Sequence, residues 1–274
     1  FLPIAILAYA LNGGAAVIDK ILLKHSVPSP FAYVFYISVL GMLVIFLLPF
    51  GVQFNFFPIM YSVLSGIFGN LALLTYFQSL KKGEASVVAP IVGGFNPLFA
   101  LLIGSIFLGQ VLTPTQLAAF FFLMLGAIIL THSLWSNKLQ VNQQFLLMAV
   151  SGLLFALAYI LLREAFTSYN FITGLVISRL TGGLFVIIFL LHPGTRNQIF
   201  ISRVTNHSFL NKNSLLLLIG QIFGASSGLL ITYGVSLTSP ALVNSLFGFQ
   251  YLVILGAALI LGRKHPQLLD EDLT

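Results

Sequence analysis

The apolar positions of this chain fall in long unbroken blocks. No Asp, Glu, Lys or Arg occurs from His25 to Leu80, from Ala85 to Asn137, or from Ser214 to Gly262. A membrane helix needs about 20 apolar residues, so each of these gaps holds two spans and a turn. The gap from Leu139 to Leu162 holds one. The pattern predicts an all-α integral membrane protein with nine spans, near 2–23, 32–50, 57–80, 85–108, 114–134, 143–162, 171–191, 214–236 and 240–262. Connections are short except for about 22 residues from His192 to Asn213, where QIFISRV reads either as a stretch lying flat on the membrane surface or as a solvated loop.

Composition sharpens this picture. The 274 residues are 58% hydrophobic and 7% charged, where a soluble domain has about 25% charged residues. Too little polar surface remains for a water-soluble globule. The net charge of +6 comes from basic residues at span ends, which points to membrane topology and away from a nucleic-acid partner. Cysteine is absent, which excludes disulfides, thiolate catalysis and Cys-ligated metal. Lys20, Lys24, Lys81, Lys82, Lys138, Arg196, Arg203, Lys212, Arg263 and Lys264 all fall on the connections after spans 1, 3, 5, 7 and 9. That bias predicts an external N-terminus and a bacterial inner membrane as the location.

The blocks also repeat. YISVLGMLVIFLL (36–48) aligns with RLTGGLFVIIFLL (179–191). SGIFGNLALLTYFQSL (65–80) aligns with GQIFGASSGLLITYGVSL (220–237) after a two-residue insertion, and FALLIGSIFLGQ (99–110) with LVILGAALILGR (252–263). Three pairs in one order imply two units, 1–135 with spans 1–5 and 141–274 with spans 6–9. An odd number of spans inverts the second unit relative to the first, the arrangement of many secondary transporters. Two fives make ten, so a tenth span is expected beyond HPQLLDEDLT.

Span 4 carries chemistry that lipid does not tolerate. Pro90 and Pro97 are seven residues apart on one face, with Gly93, Gly94 and Asn96 between them. Each proline removes a backbone donor and frees a carbonyl, which in a bilayer needs a partner or a wet cavity. A broken helix lining an aqueous pocket accounts for all five residues; a kinked packing helix with Asn96 bonded to a neighbour is the rival. The stretch GEASVVAPIVGGFNPLFALLIGSIFLGQVLTPTQLAAFFFLMLGAIIL resembles the EamA family of the drug/metabolite transporter superfamily. Pro97, Leu108, Gly109, Thr113, Gln116 and Gly126 stand at the family's marked places. The family acid is replaced by Gln110 and, in the second unit, by Arg263, and Gln250 stands where Pro97 stands in the first. The resemblance implies ten helices around a central cavity and movement of small metabolites, often as export.

Other polar residues inside spans are candidates for that cavity. Asn12 and Asp19 share a face of span 1. Asp19 reads as a cavity acid for a cation or proton, or as the partner of Lys20 or Lys24. Arg179 lies eight residues into span 7, opposite Tyr36 in the repeat, and an arginine at that depth faces protein or water. It reads either as a ligand contact or as a structural residue bonding span-end carbonyls. Gly220, Gly224 and Gly228 recur every four residues, a packing stripe. Asn70, Tyr76, Gln221, Tyr233, Asn244 and Gln250 complete an uncharged polar set suited to amino acids or related amphipathic solutes.

The expected function is a secondary transporter working by alternating access, with a small-molecule solute and membrane lipid as partners, a proton as the candidate coupling ion and no cofactor. A lipid-active enzyme would concentrate acids and histidines at one interface, and three of the six acids sit in the tail. A non-transporting scaffold would lack a cavity and a two-fold relation between halves.

Overall fold

The computed structural model describes residues 1–25, 29–50, 56–83, 85–109, 113–115, 117–118, 121–122, 125, 143–201 and 212–264. These residues form helices and no strand. The principal elements are α1 (Leu2–His25), α2 (Pro30–Gly41), α3 (Phe56–Lys82), α4 (Ala85–Leu108), α5 (Gln143–Ser168), α6 (Phe171–Ile187), α7 (Pro193–Ile201), α8 (Lys212–Leu237), α9 (Pro240–Ser245) and α10 (Gly248–Lys264). Tight 3-10 turns extend α2 through Met42–Phe50 and α6 through Ile188–Leu190. Among the described residues eight stretches are long and apolar enough to cross a membrane, and they coincide with eight of the nine expected spans. Most of the remaining one, 114–134, falls outside the described residues, as does the tail.

Helices suit this sequence because they satisfy their own backbone where no water can. Their starts are written locally. Ser29 and Ser239 each cap a helix whose first residue is proline, and Asn170 accepts from the Thr173 amide at 2.8 Å. These caps satisfy donors that the first helical turn leaves unpaired. Gly109 ends α4 at φ +60, a left-handed turn that costs glycine least.

Small residues then decide which helices touch. A Cβ on Gly66 would lie 2.2 Å from the Ser178 carbonyl, so α3 meets α6 backbone to backbone. Gly13 similarly admits α10, and Gly220 admits Ile18 of α1. The main pairings are α1 with α8, α3 with α5, α4 with α5, α3 with α6 and α1 with α10. Of the glycine stripe on α8, Gly220 and Gly224 face α1, as a packing stripe should, while Gly228 faces Arg179.

Two expectations need correction. Span 4 is one uninterrupted helix despite Pro90 and Pro97; the interruption lies in span 9, between α9 and α10. There Leu246, Phe247, Phe249 and Gln250 all donate to the carbonyl three residues back, at 3.0–3.2 Å. The tightened turn keeps the backbone bonded while changing the direction in which side chains point. The long connection is also more than a solvated loop. It contains α7, which seats Ile199 in the core and is tied to α2 by Tyr36 and Ser29.

Candidate functional site

The interruption of span 9 organises a buried polar chain. Asn244, the fifth residue of α9, is fully buried, and Asn96 of α4 is 2% exposed. The Asn244 amide donates to Asn96 Oδ1 at 3.0 Å, and the Tyr9 hydroxyl donates to Asn244 Oδ1 at 3.0 Å. One level further along, the Asn12 amide donates to Gln250 Oε1 at 2.7 Å. Tyr251 donates to the Pro90 carbonyl at 3.0 Å. Gly93 permits this approach, since a Cβ there would lie 2.2 Å from the Phe247 ring. Asn12, Asn96, Asn244 and Gln250, separated by up to 238 positions in sequence, therefore meet in one region built from α1, α4 and the two pieces of span 9. Pro90 and Gly93 serve that junction, Pro97 is buried beside it, and Gly94 is partly exposed.

A second group lies seven residues further along α1, about 10 Å at 1.5 Å per residue. The Tyr33 hydroxyl donates to Asp19, and Gln221 bonds to Tyr33. Tyr76 lies close to Asp19, Tyr33 and Tyr251, with a buried hydroxyl that has no hydrogen-bond partner among the described residues. Lys20 does not pair with Asp19. Its Nζ reaches the Leu80 carbonyl at 2.9 Å and the Gly83 carbonyl at 2.5 Å, capping α3.

Arg179 stands apart from both groups. It lies deep in the bundle yet keeps a partly accessible surface, close to Tyr159 and facing Gly228. The structural alternative, bonding to helix-end carbonyls, is met by Arg163, which donates to the Val235 and Ser236 carbonyls at the end of α8. Aromatic rings run between Arg179 and Asp19. Tyr159 stacks on Phe155 at 6.4 Å, Phe155 meets Tyr76 at 6.5 Å, Tyr76 meets Phe77 at 5.4 Å, and Phe77 meets Tyr33 at 4.8 Å.

Three candidates fall elsewhere. Tyr233 is 42% exposed and packs edge-on against Phe171, because its position on α8 faces outward. Tyr36 points to the Ile199 carbonyl of α7 at 2.9 Å, away from Arg179. Asn70 joins α2 to α3 by accepting from Ser38 and donating to the Gly66 carbonyl at 3.2 Å. Conversely, Tyr9, Tyr33 and Tyr159 escaped the sequence reading. Tyr9 was legible, three residues before Asn12 on the same helical face; Tyr33 and Tyr159 carry no such marker. Gln110 and Gln116 lie outside the described residues.

A helical protein with eight membrane-length apolar stretches among its described residues, and interior polar groups drawn from both ends of the chain, is a polytopic membrane protein. Residues 2–132 match the model of the EamA-like transporter family, part of the drug/metabolite transporter superfamily. A protein of known crystal structure is similar in fold, with a TM-score of 0.50 and 17% identity over 96% of each chain. No curated protein matches the chain.

Proposed function

We propose that this protein is a secondary transporter of a small amphipathic solute such as an amino acid, exporting it by alternating access through the hollow between its two halves. The observation that carries this reading is the convergence of Asn12, Asn96, Asn244 and Gln250 where α1 and α4 are at mid-span. Intramembrane polar groups of this kind mark solute pathways.

Helix pairing supports an inverted repeat. When spans 1, 3 and 4 are exchanged with spans 6, 8 and 9, the α1–α8 pairing becomes α5–α3, and α1–α10 becomes α5–α4; all four occur. Two pairings lack their counterparts: spans 6 and 7 pack together while spans 1 and 2 do not, and the larger mismatch involves spans 3 and 7. Span 3 packs along span 7 as α3 on α6, while spans 8 and 2 do not pack along each other and are bridged by Gln221 and Tyr33. A symmetric fold caught in an asymmetric arrangement is what alternating access requires: one seam closed, its twin parted. Asp19, buried among Tyr33 and Tyr76, is the candidate carrier of a coupling proton.

The absence of native cysteine makes the test clean. Phe155→Cys, beside the hollow, is expected to react with a membrane-impermeant maleimide from one side of the membrane only. Leu184→Cys, on the exposed face of α6, is expected to stay unlabelled. Failure of Phe155→Cys to label from either side removes the aqueous pathway and with it the transporter reading.

A further inference from the structure

We propose that Arg179 recognises a singly charged carboxylate on the transported solute, with Tyr159 and Phe155 receiving its apolar body; the inference rests on the transporter reading above. A charge at mid-bilayer costs about 3 kcal/mol on insertion scales, and guanidinium does not escape that cost by losing its proton. Arg179 lies eight residues into α6, so it belongs near that depth. Among the described residues it makes no hydrogen bond and no ion pair. Asp19 is engaged with Tyr33, and Glu164 lies near the end of α5. An uncompensated cation is therefore kept inside the bundle.

Gly228 of α8 lies against the cation. A Cβ on Gly228 would stand 3.2 Å from Arg179 Nη2, so any side chain at 228 would crowd the face of the guanidinium. Gly220 and Gly224 already serve the contact with α1, which leaves Gly228 to the contact with Arg179. A guanidinium fork matches a carboxylate with two parallel hydrogen bonds. Tyr159 and Phe155, stacked with 17° between their planes, form a flat wall next to it. Charge count selects a monoanion. Lys20 and Arg163 are bound to helix-end carbonyls, and Lys81 and Lys82 are exposed at the end of α3. No second described cation stands by to balance a phosphate dianion.

The test uses purified full-length protein in detergent and three probes of one skeleton: 3-phenylpropionate, 3-phenylpropionamide and 2-phenylethylamine. The carboxylate is expected to raise the melting temperature by several degrees, with the amide and the amine giving less than a third of that shift. Arg179→Gln is expected to abolish the shift. Gly228→Ala, which keeps the charge but crowds the fork, is expected to weaken the carboxylate's apparent affinity at least fivefold without lowering the unliganded melting temperature. Equal shifts from acid and amide, an unchanged response in Arg179→Gln, or no shift from any probe overturns the proposal. Cysteine labelling at position 155 does not depend on Arg179, so a failure here leaves the transporter reading standing. A carboxylate shift without any labelling sinks the transporter reading alone.

Discussion

Gly66→Ala isolates the contact that closes one seam of the bundle. The added methyl would sit 2.2 Å from the Ser178 carbonyl oxygen, 2.6 Å from Thr181 Oγ1 and 2.9 Å from the Gly182 amide nitrogen. Ordinary carbon–oxygen contact begins near 3.3 Å, so α3 and α6 must part by about 1 Å. Two of the obstructing atoms are backbone, which no rotamer change can move. Overpacking of this kind costs about 1–3 kcal/mol, and the rigid obstacle puts this case near 3 kcal/mol, roughly a hundredfold in the folded-to-unfolded ratio. Gly69→Ala is the internal control, one turn along the same helix. Its methyl meets Ala158 Cβ at 3.9 Å, an ordinary contact, and alanine exceeds glycine in helix propensity by about 1 kcal/mol. Equilibrium unfolding in mixed micelles, followed by circular dichroism, is expected to show Gly66→Ala destabilised by about 3 kcal/mol and Gly69→Ala unchanged or stabilised. Equal effects at the two positions would refute the backbone-to-backbone packing of α3 on α6. The same substitution is expected to raise maleimide labelling of a cysteine at Ser178, since a parted seam admits water.

Three further outcomes follow from the hydrogen bonds. Tyr76→Phe removes a buried hydroxyl that has no partner among the described residues and is expected to stabilise the protein by about 1 kcal/mol in thermal unfolding; a loss of that size would show that the hydroxyl is satisfied. Lys20→Met leaves the Leu80 and Gly83 carbonyls at the end of α3 without their cation and is expected to cost about 2 kcal/mol, with Lys20→Arg restoring part of it; a cost below about 0.5 kcal/mol would assign Lys20 to a solvated surface. Asp19→Asn and Tyr33→Phe each remove a member of the contact bridging α1, α2 and α8 across the parted seam, and both are expected to speed labelling of Phe155→Cys from the side that already labels. Unchanged labelling rates in both variants would show that this contact is no gate.

How the site differs from its reading along the chain is instructive. Asn96, Asn12 and Gln250 were identifiable because an amide inside an apolar block demands a partner. Their mutual pairing was not, because Asn12 and Gln250 stand 238 positions apart. Prolines marked span 4 as the helix to break, yet it holds its course while span 9 breaks beside Phe247 without a proline. There the tightened turn, the packing of Phe247 on Gly93 and the Tyr251 bond to the Pro90 carbonyl act together. Tyr233 was named by residue type and Tyr36 by its place opposite Arg179 in the repeat, and neither says which way a side chain turns.

Block length and charge placement by themselves determined that this chain lies in a membrane and where its membrane-length apolar stretches fall among the described residues, because the cost of burying charge and unpaired backbone in lipid is paid residue by residue. Neighbouring helices decided the rest. Which seam is closed and which serine or tyrosine finds a partner among the described residues depend on backbone separations set by Gly13, Gly66, Gly93 and Gly220. Those separations are properties of pairs of helices distant in sequence, and no local pattern carries them.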